Sequence, residues 1–166
     1  MSKSPPMSRQ DLPQTITLFN LFKDNNGNHY FRAILEGVRV DENRTGKRDS
    51  NRGTTKLHRA TVWADRRTTQ GYRIGEGSIK IRKMYIPLQN WLRSELGMKN
   101  NQWTLNQKDM MAIPDDGQEI TIVPEFDPAN DDWQSFSERH DLRSISVIEP
   151  LADEDGSIHS WEISLD

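Results

Sequence analysis

The groups that could do chemistry here are histidines, carboxylates and hydroxyls, because the 166-residue sequence contains no cysteine. That absence removes disulfides, thiolate nucleophiles and sulfur-ligated metal sites, and it fits synthesis in a reducing cytoplasm. His29, His58, His140 and His159 stand apart from one another. Neither His29-x-x-Arg32 nor His159-x-x-Glu162 has the spacing that sets two histidines and a glutamate on one helical face, so a zinc centre is not expected. Near the carboxyl end, Asp153, Asp155, Gly156 and Glu162 fall at the third, fifth, sixth and twelfth places of a calcium loop, but Leu151 occupies the first, where an oxygen is needed. A wet β-turn is the better reading. The glycine-rich GYRIGEG at 71–77 lacks both the spacing and the following Lys-Ser/Thr of a phosphate loop, and no GxSxG elbow occurs. Asp115-Asp116 and Asp131-Asp132 read as exposed acidic turns, unless the fold assembles a glycosidase pair. The expectation is a protein without enzymatic activity, metal or cofactor.

The densest functional feature is basic. Residues 42–59 hold Arg44, Lys47, Arg48, Arg52, Lys56 and Arg59 against Glu42 and Asp49, with Gly46 and Gly53 giving backbone freedom. Such a loop can meet a phosphate backbone without reading bases, can meet an acidic protein, or can simply be solvated. It carries no aromatic residue, which weakens a single-strand stacking site. Arg66, Arg67, Lys80, Arg82 and Lys83 could extend the same patch. The net charge of -3 conceals a polarity: residues 1–99 carry 19 Lys/Arg against 9 Asp/Glu, and residues 100–166 carry 3 against 16. The two signs can pair within one fold, between copies of an oligomer, or face two partners.

The elements that must position these groups are short strands. TITLFNLF, the run from His29 to Val40, LHRATVWA, SIKIRKMYIP, EITIVPEF and the closing pair LRSISVIEPL and SIHSWEISL all read as strands, separated by Gly, Asn and Asp turns. In the second of these, Tyr30, Ala33, Leu35 and Val38 share one face only if a bulge lies near Glu36-Gly37. PLQNWLRSELG spaces Leu88, Trp91, Leu92 and Glu95 as a short helix, with Gly97 as its stop. Trp63, Trp91, Trp103 and Trp161 lie in apolar pattern and are expected in the core. Trp133, with Phe136 in an acidic stretch, is expected to dock on a surface, its own or a neighbour's, and Arg66, Arg67, Trp133 and Phe136 are the interface candidates.

With 33 % hydrophobic and 28 % charged residues, the chain suits one domain with a modest core. The expected fold is mainly β: a small barrel or sandwich of seven to eight mostly antiparallel strands, one short helix and a long basic hairpin loop. Residues 1–14, with three prolines, are expected to form a flexible N-terminal arm, and 15–166 a single β domain. The amino terminus has no apolar core of a signal sequence, and no run approaches a membrane span, so no membrane association is expected.

Several segments, in order, resemble an uncharacterised family of small proteins encoded in the head-to-tail region of siphophages and prophages of Gram-positive bacteria. They are ITLFNLF at 16–22, RAILEGVRVDE at 32–42, the Ile-Pro of MYIPLQNW at 86–87, WTLNQKDMMAI at 103–113 and LRSISVIEPLADEDGSIHSWEISL at 142–165. The resemblance covers about half of the chain. It implies a minor virion or head-completion protein, built as a small β-barrel and arranged as a ring around the DNA channel. It further implies contacts with other copies of itself, with a portal-side adaptor and tail-end proteins, and with packaged DNA through the basic hairpin, in a virion assembled in the bacterial cytoplasm. The length and basicity of residues 43–56 and the arm at 1–14 depart from the family. Two other readings remain open: a phage-encoded nucleic-acid-binding module, and an acidic-faced inhibitor of a host nucleic-acid enzyme.

Overall fold

The computed structural model describes residue 5 and residues 12–43, 59–115 and 118–166. Strands β1 (Gln14–Asp24) and β2 (Gly27–Asn43) form a long hairpin, followed by β3 (Arg59–Asp65), β4 (Gln70–Ile74) and β5 (Lys80–Tyr85). Two short helices, α1 (Leu88–Arg93) and α2 (Leu96–Lys99), lead to β6 (Gln102–Trp103) and β7 (Met110–Ala112). Helix α3 (Trp133–Arg139) precedes the final hairpin of β8 (Arg143–Ala152) and β9 (Ile158–Leu165). Six strands close into an antiparallel barrel in the order β1-β7-β8-β9-β3-β2, with β2 returning to β1. Closure pairs every barrel strand on both sides and so protects its edges.

Strand β2 belongs to two structures at once, and Gly37 is where it changes partner. Its Val38–Asn43 portion pairs with β3, while Ile34–Glu36 pairs with β4, which starts a branch in the order β4-β5-β6. Opposite, β1 skips from Gln14↔Val38 to Thr15↔Glu36, leaving Gly37 as the extra residue. Ala33 and Leu35 before the bulge, and Val38 after it, thereby all point into the core. Gly37 has φ +82°, and a Cβ there would stand 3.0 Å from the Thr68 carbonyl oxygen. The bulge expected from the sequence is present, although Tyr30 packs elsewhere, against Phe126 and Trp133.

The barrel interior is filled by side chains: Ile16, Leu18, Val62, Met111, Ile145 and Ile163 are buried, and Trp103 and Trp161 cap them with Tyr85 packed alongside. A second cluster, Phe19, Ala112, Val123, Phe136 and Leu142, lies between the barrel wall and α3. Asp132 caps that helix by accepting from the Ser135 backbone N–H at 3.0 Å. The barrel wall is fastened to the turn before β7 by a buried polar staple. Asn20 Nδ2 donates to the Thr104 carbonyl at 2.8 Å and to Asp109 Oδ2 at 2.7 Å, and the Leu21 N–H donates to Asp109 Oδ1 at 3.0 Å. Burial raises the Asp109 carboxyl to about 7, against the three hydrogen bonds that favour its charged form.

The fold is mainly β, with a barrel as its centre; among the described residues it has nine strands and three short α-helices, more of each than the sequence suggested. Three expectations are corrected. The helix placed over 87–97 is broken, because Ser94 and Glu95 are extended (ψ 157° and 155°) and Lys99 Nζ donates back to the Ser94 carbonyl at 2.6 Å; Gly97 lies inside α2 rather than ending a helix. EITIVPEF is not a strand beyond a single bridge at Ile120. There β7 already occupies the β1 edge from Thr17 to Phe19, and the Thr17 hydroxyl donates to the Thr121 carbonyl and accepts from the Val123 N–H in place of a ladder. Trp63 faces outward beneath Arg39, at 5.5 Å, because the flanking Val62 and Ala64 take the inward positions. The arm expected at 1–14 lies mostly outside the described residues; of its last residues, Leu12 is buried and Gln14 opens β1.

Candidate interaction surfaces

The β2–β3 ladder ends at Asn43↔Arg59, so the basic connection leaves from one end of the barrel. Arg59 is exposed there, whereas Arg44, Lys47, Arg48, Arg52 and Lys56 lie outside the described residues. Beside it Glu42 pairs with Arg143, both side chains largely buried. The other interface candidates separate. Arg67 is bound to the buried Asp65: its N–H donates to Oδ1 at 2.8 Å and its guanidinium to Oδ2 at 3.3 Å, which fixes the turn between β3 and β4. Arg66 is exposed and lines a groove of about 190 Å3 with Arg82, Tyr85 and Trp103. Phe136 is 3 % exposed in the second cluster, and Trp133 is half-buried on Phe19, Tyr30 and Phe126, so both dock on the protein's own surface.

A cluster that the sequence did not single out forms where β4 stops pairing and the β2 edge is left open. Lys83, 2 % exposed, spans that gap and donates from Nζ to the Arg32 carbonyl at 2.9 Å. The Arg32 side chain is 8 % exposed; one terminal nitrogen donates to the Val123 carbonyl at 2.8 Å, the other lies 3.9 Å from Glu125, and its Nε is buried without a partner. Arg73 reaches in from β4, its Nε donating to Asn101 Oδ1 at 3.2 Å. Burial above all, then the charges of Arg73 and Arg32, lowers Lys83 to about 8, with Glu125 opposing. Burial also lowers the proton affinity of Arg32. The sequence offers Lys83 as a possible extension of the basic patch, but the fold buries it instead. Its inward direction depends on the register Gly71↔Lys83, since only glycine at 71 leaves room for Trp103, whose Nε1 would lie 2.5 Å from a Cβ.

Of the ion pairs formed between described residues, one, Arg32–Glu125 at 3.9 Å, couples a base of residues 1–99 with an acid of residues 100–166. The others either stay within one half or run the opposite way, as in Glu42–Arg143. The branch also carries exposed apolar side chains: Ile74, Ile79, Met84, Leu92, Leu96 and Met98 are each more than a third exposed. The chain is therefore a closed six-stranded antiparallel barrel with a basic, partly apolar branch. Comparison with protein-family models, curated proteins and solved structures finds no match.

Proposed function

We propose that this chain is a structural protein of a tailed-phage particle, a head-completion or head-closure protein that forms a ring around the DNA channel at the head–tail junction. What supports the reading is the polarity of charge along the sequence, combined with the apolar residues displayed on the branch. A basic, apolar-flecked branch on one copy complements an acidic face of the next, which is a head-to-tail contact of the kind that closes rings. The acids Glu149, Glu154 and Glu162 on the β8–β9 hairpin supply such a face. The filled barrel serves as a rigid body, and its collinear resemblance to head-to-tail region proteins supports the same role. In this reading the basic connection at 44–58 turns toward DNA in the lumen, other surfaces meet the portal-side adaptor and the tail end, and the protein resides in the virion without catalysing a reaction.

Electron microscopy of particles made without this chain tests the proposal. Full or leaking heads separated from finished tails are expected. Normal, infectious particles would overturn the junction role. The basic branch also favours a second reading, a nucleic-acid-binding module, which expects DNA binding by the isolated monomer that falls steeply with salt.

A further inference from the structure

We propose that the cleft between the open edge of β2 and residues 123–126 is a binding site for a phosphate-type oxyanion. The cleft is lined by Arg32, Arg73, Lys83, Asn100, Glu125 and the ring of Phe126, and has a volume of about 100 Å3. That is well below the roughly 300–1,000 Å3 of pockets that take drug-sized molecules, so the group bound is small.

Three bases face one acid, and the donors are not used up. Arg32 Nε has no partner, although its side chain is more than nine-tenths buried. Lys83 Nζ spends one of its three protons on the Arg32 carbonyl, and Arg73 uses Nε alone. Buried donors left unpaired are rare and costly, and Arg32, Lys83 and Arg73 all belong to the lining of the same cleft. Glu125 does not fill the need: its side chain is 69 % exposed and its nearest oxygen stands 3.9 Å from Arg32, beyond direct hydrogen-bond distance.

Charge matching decides the class of ligand. With Glu125 in place the cluster keeps a surplus of two positive charges when Lys83 is protonated, which a second carboxylate would leave half-neutralised. A phosphate group brings about -1.5 to -2 at neutral pH and several acceptor oxygens. Phe126, Tyr30 and Phe31 complete the lining, and the charged donors beside them would make charge-assisted hydrogen bonds to such a group. Free phosphate and the terminal phosphate of a DNA strand share this chemistry. The site does not depend on the assembly role.

Calorimetric titration of the full chain with inorganic phosphate at pH 7, against sodium chloride at matched ionic strength, provides the test. Saturable one-to-one binding is expected. Arg73→Gln, at the rim, should weaken it about tenfold, the equivalent of one charge-assisted hydrogen bond, and Glu125→Gln should tighten it severalfold by removing a competing anion. Both variants leave Lys83 and Arg32 in place, so circular dichroism should show the wild-type fold. Absence of saturable binding up to about 10 mM phosphate, or an affinity indifferent to both substitutions, overturns the site. Oligothymidylates with and without a 5′-phosphate distinguish the source. Tighter binding of the phosphorylated strand than of inorganic phosphate, lost in Arg73→Gln, assigns a strand end; equal affinity assigns free phosphate.

Discussion

The barrel and the branch are built on opposite principles, although they share β2. In the barrel every strand has two neighbours, and the interior is closed by Trp161, Ile163 and Leu165, on which Trp103 of β6 packs from the branch. In the branch, β5 meets the two-residue β6 in a parallel pairing, Lys83 replaces an apolar residue in the buried row, and apolar side chains point to solvent. The barrel buries most of its hydrophobic residues, although Val147 and Ile158 on β8 and β9 are also more than a third exposed. The branch displays more of them to solvent, together with cations, which is the composition of a contact surface.

The sharpest way to break this contrast is to attack the barrel. Trp161→Ala removes a side chain 4 % exposed that packs on Tyr85 and Trp103, and should cost about 3–5 kcal/mol in denaturant unfolding. A loss below 1 kcal/mol would mean that the barrel does not hold the fold. Gly37→Ala should cost less, about 1–3 kcal/mol, from its positive φ and the contact with Thr68. Because that residue is where β2 changes from β3 to β4, the variant should also loosen the branch, read as faster amide exchange in β4 and β5 than in β8 and β9.

Titration sharpens the comparison with opposite signs in the two regions. Asp109, at the barrel wall, has its carboxyl raised from 3.8 to about 7. Between those values the folded protein holds a proton that the unfolded chain has released, so this group makes stability fall as pH rises from about 4 to 7. Lys83, in the branch, is lowered from 10.5 to about 8. Over that window the unfolded chain binds the additional proton, so stability rises with pH. Unfolding midpoints of Asp109→Asn and Lys83→Met, each subtracted from the wild-type curve across pH, isolate the two contributions. A wild-type-minus-variant difference that is flat in pH would remove the corresponding buried charge from the account.

The same contrast explains what could be read from the sequence. Alternation in β1, β3, β8 and β9 follows directly from having one face in the barrel, and the bulge at Gly37 was legible because Leu35 and Val38 stand three positions apart, an odd offset that regular alternation would put on opposite faces. The branch was less legible, since local pattern there does not decide direction. Ile79 looks like a core residue and is 63 % exposed, while Lys83 looks like surface and is 2 % exposed. The cationic cleft was hidden for the same reason: Arg32, Arg73 and Lys83 are far apart in sequence and come together only because β4 ends where it does. The basic connection, obvious in the sequence, falls on residues the structure does not describe.

The smallest expected effect on stability bears most directly on the branch. Ile79→Ser and Met84→Ser alter side chains 63 % and 56 % exposed, so each should shift unfolding by no more than about 0.5 kcal/mol. If the branch is a contact surface between copies, the double variant should nevertheless fail to enter particles, because a heterologous interface repeated around a ring multiplies a small loss per contact. Its content in purified virions, compared with wild type by quantitative mass spectrometry, separates the two behaviours. A double variant that folds normally and is incorporated at wild-type levels would take the branch out of the interface and leave its exposed apolar residues as ordinary surface.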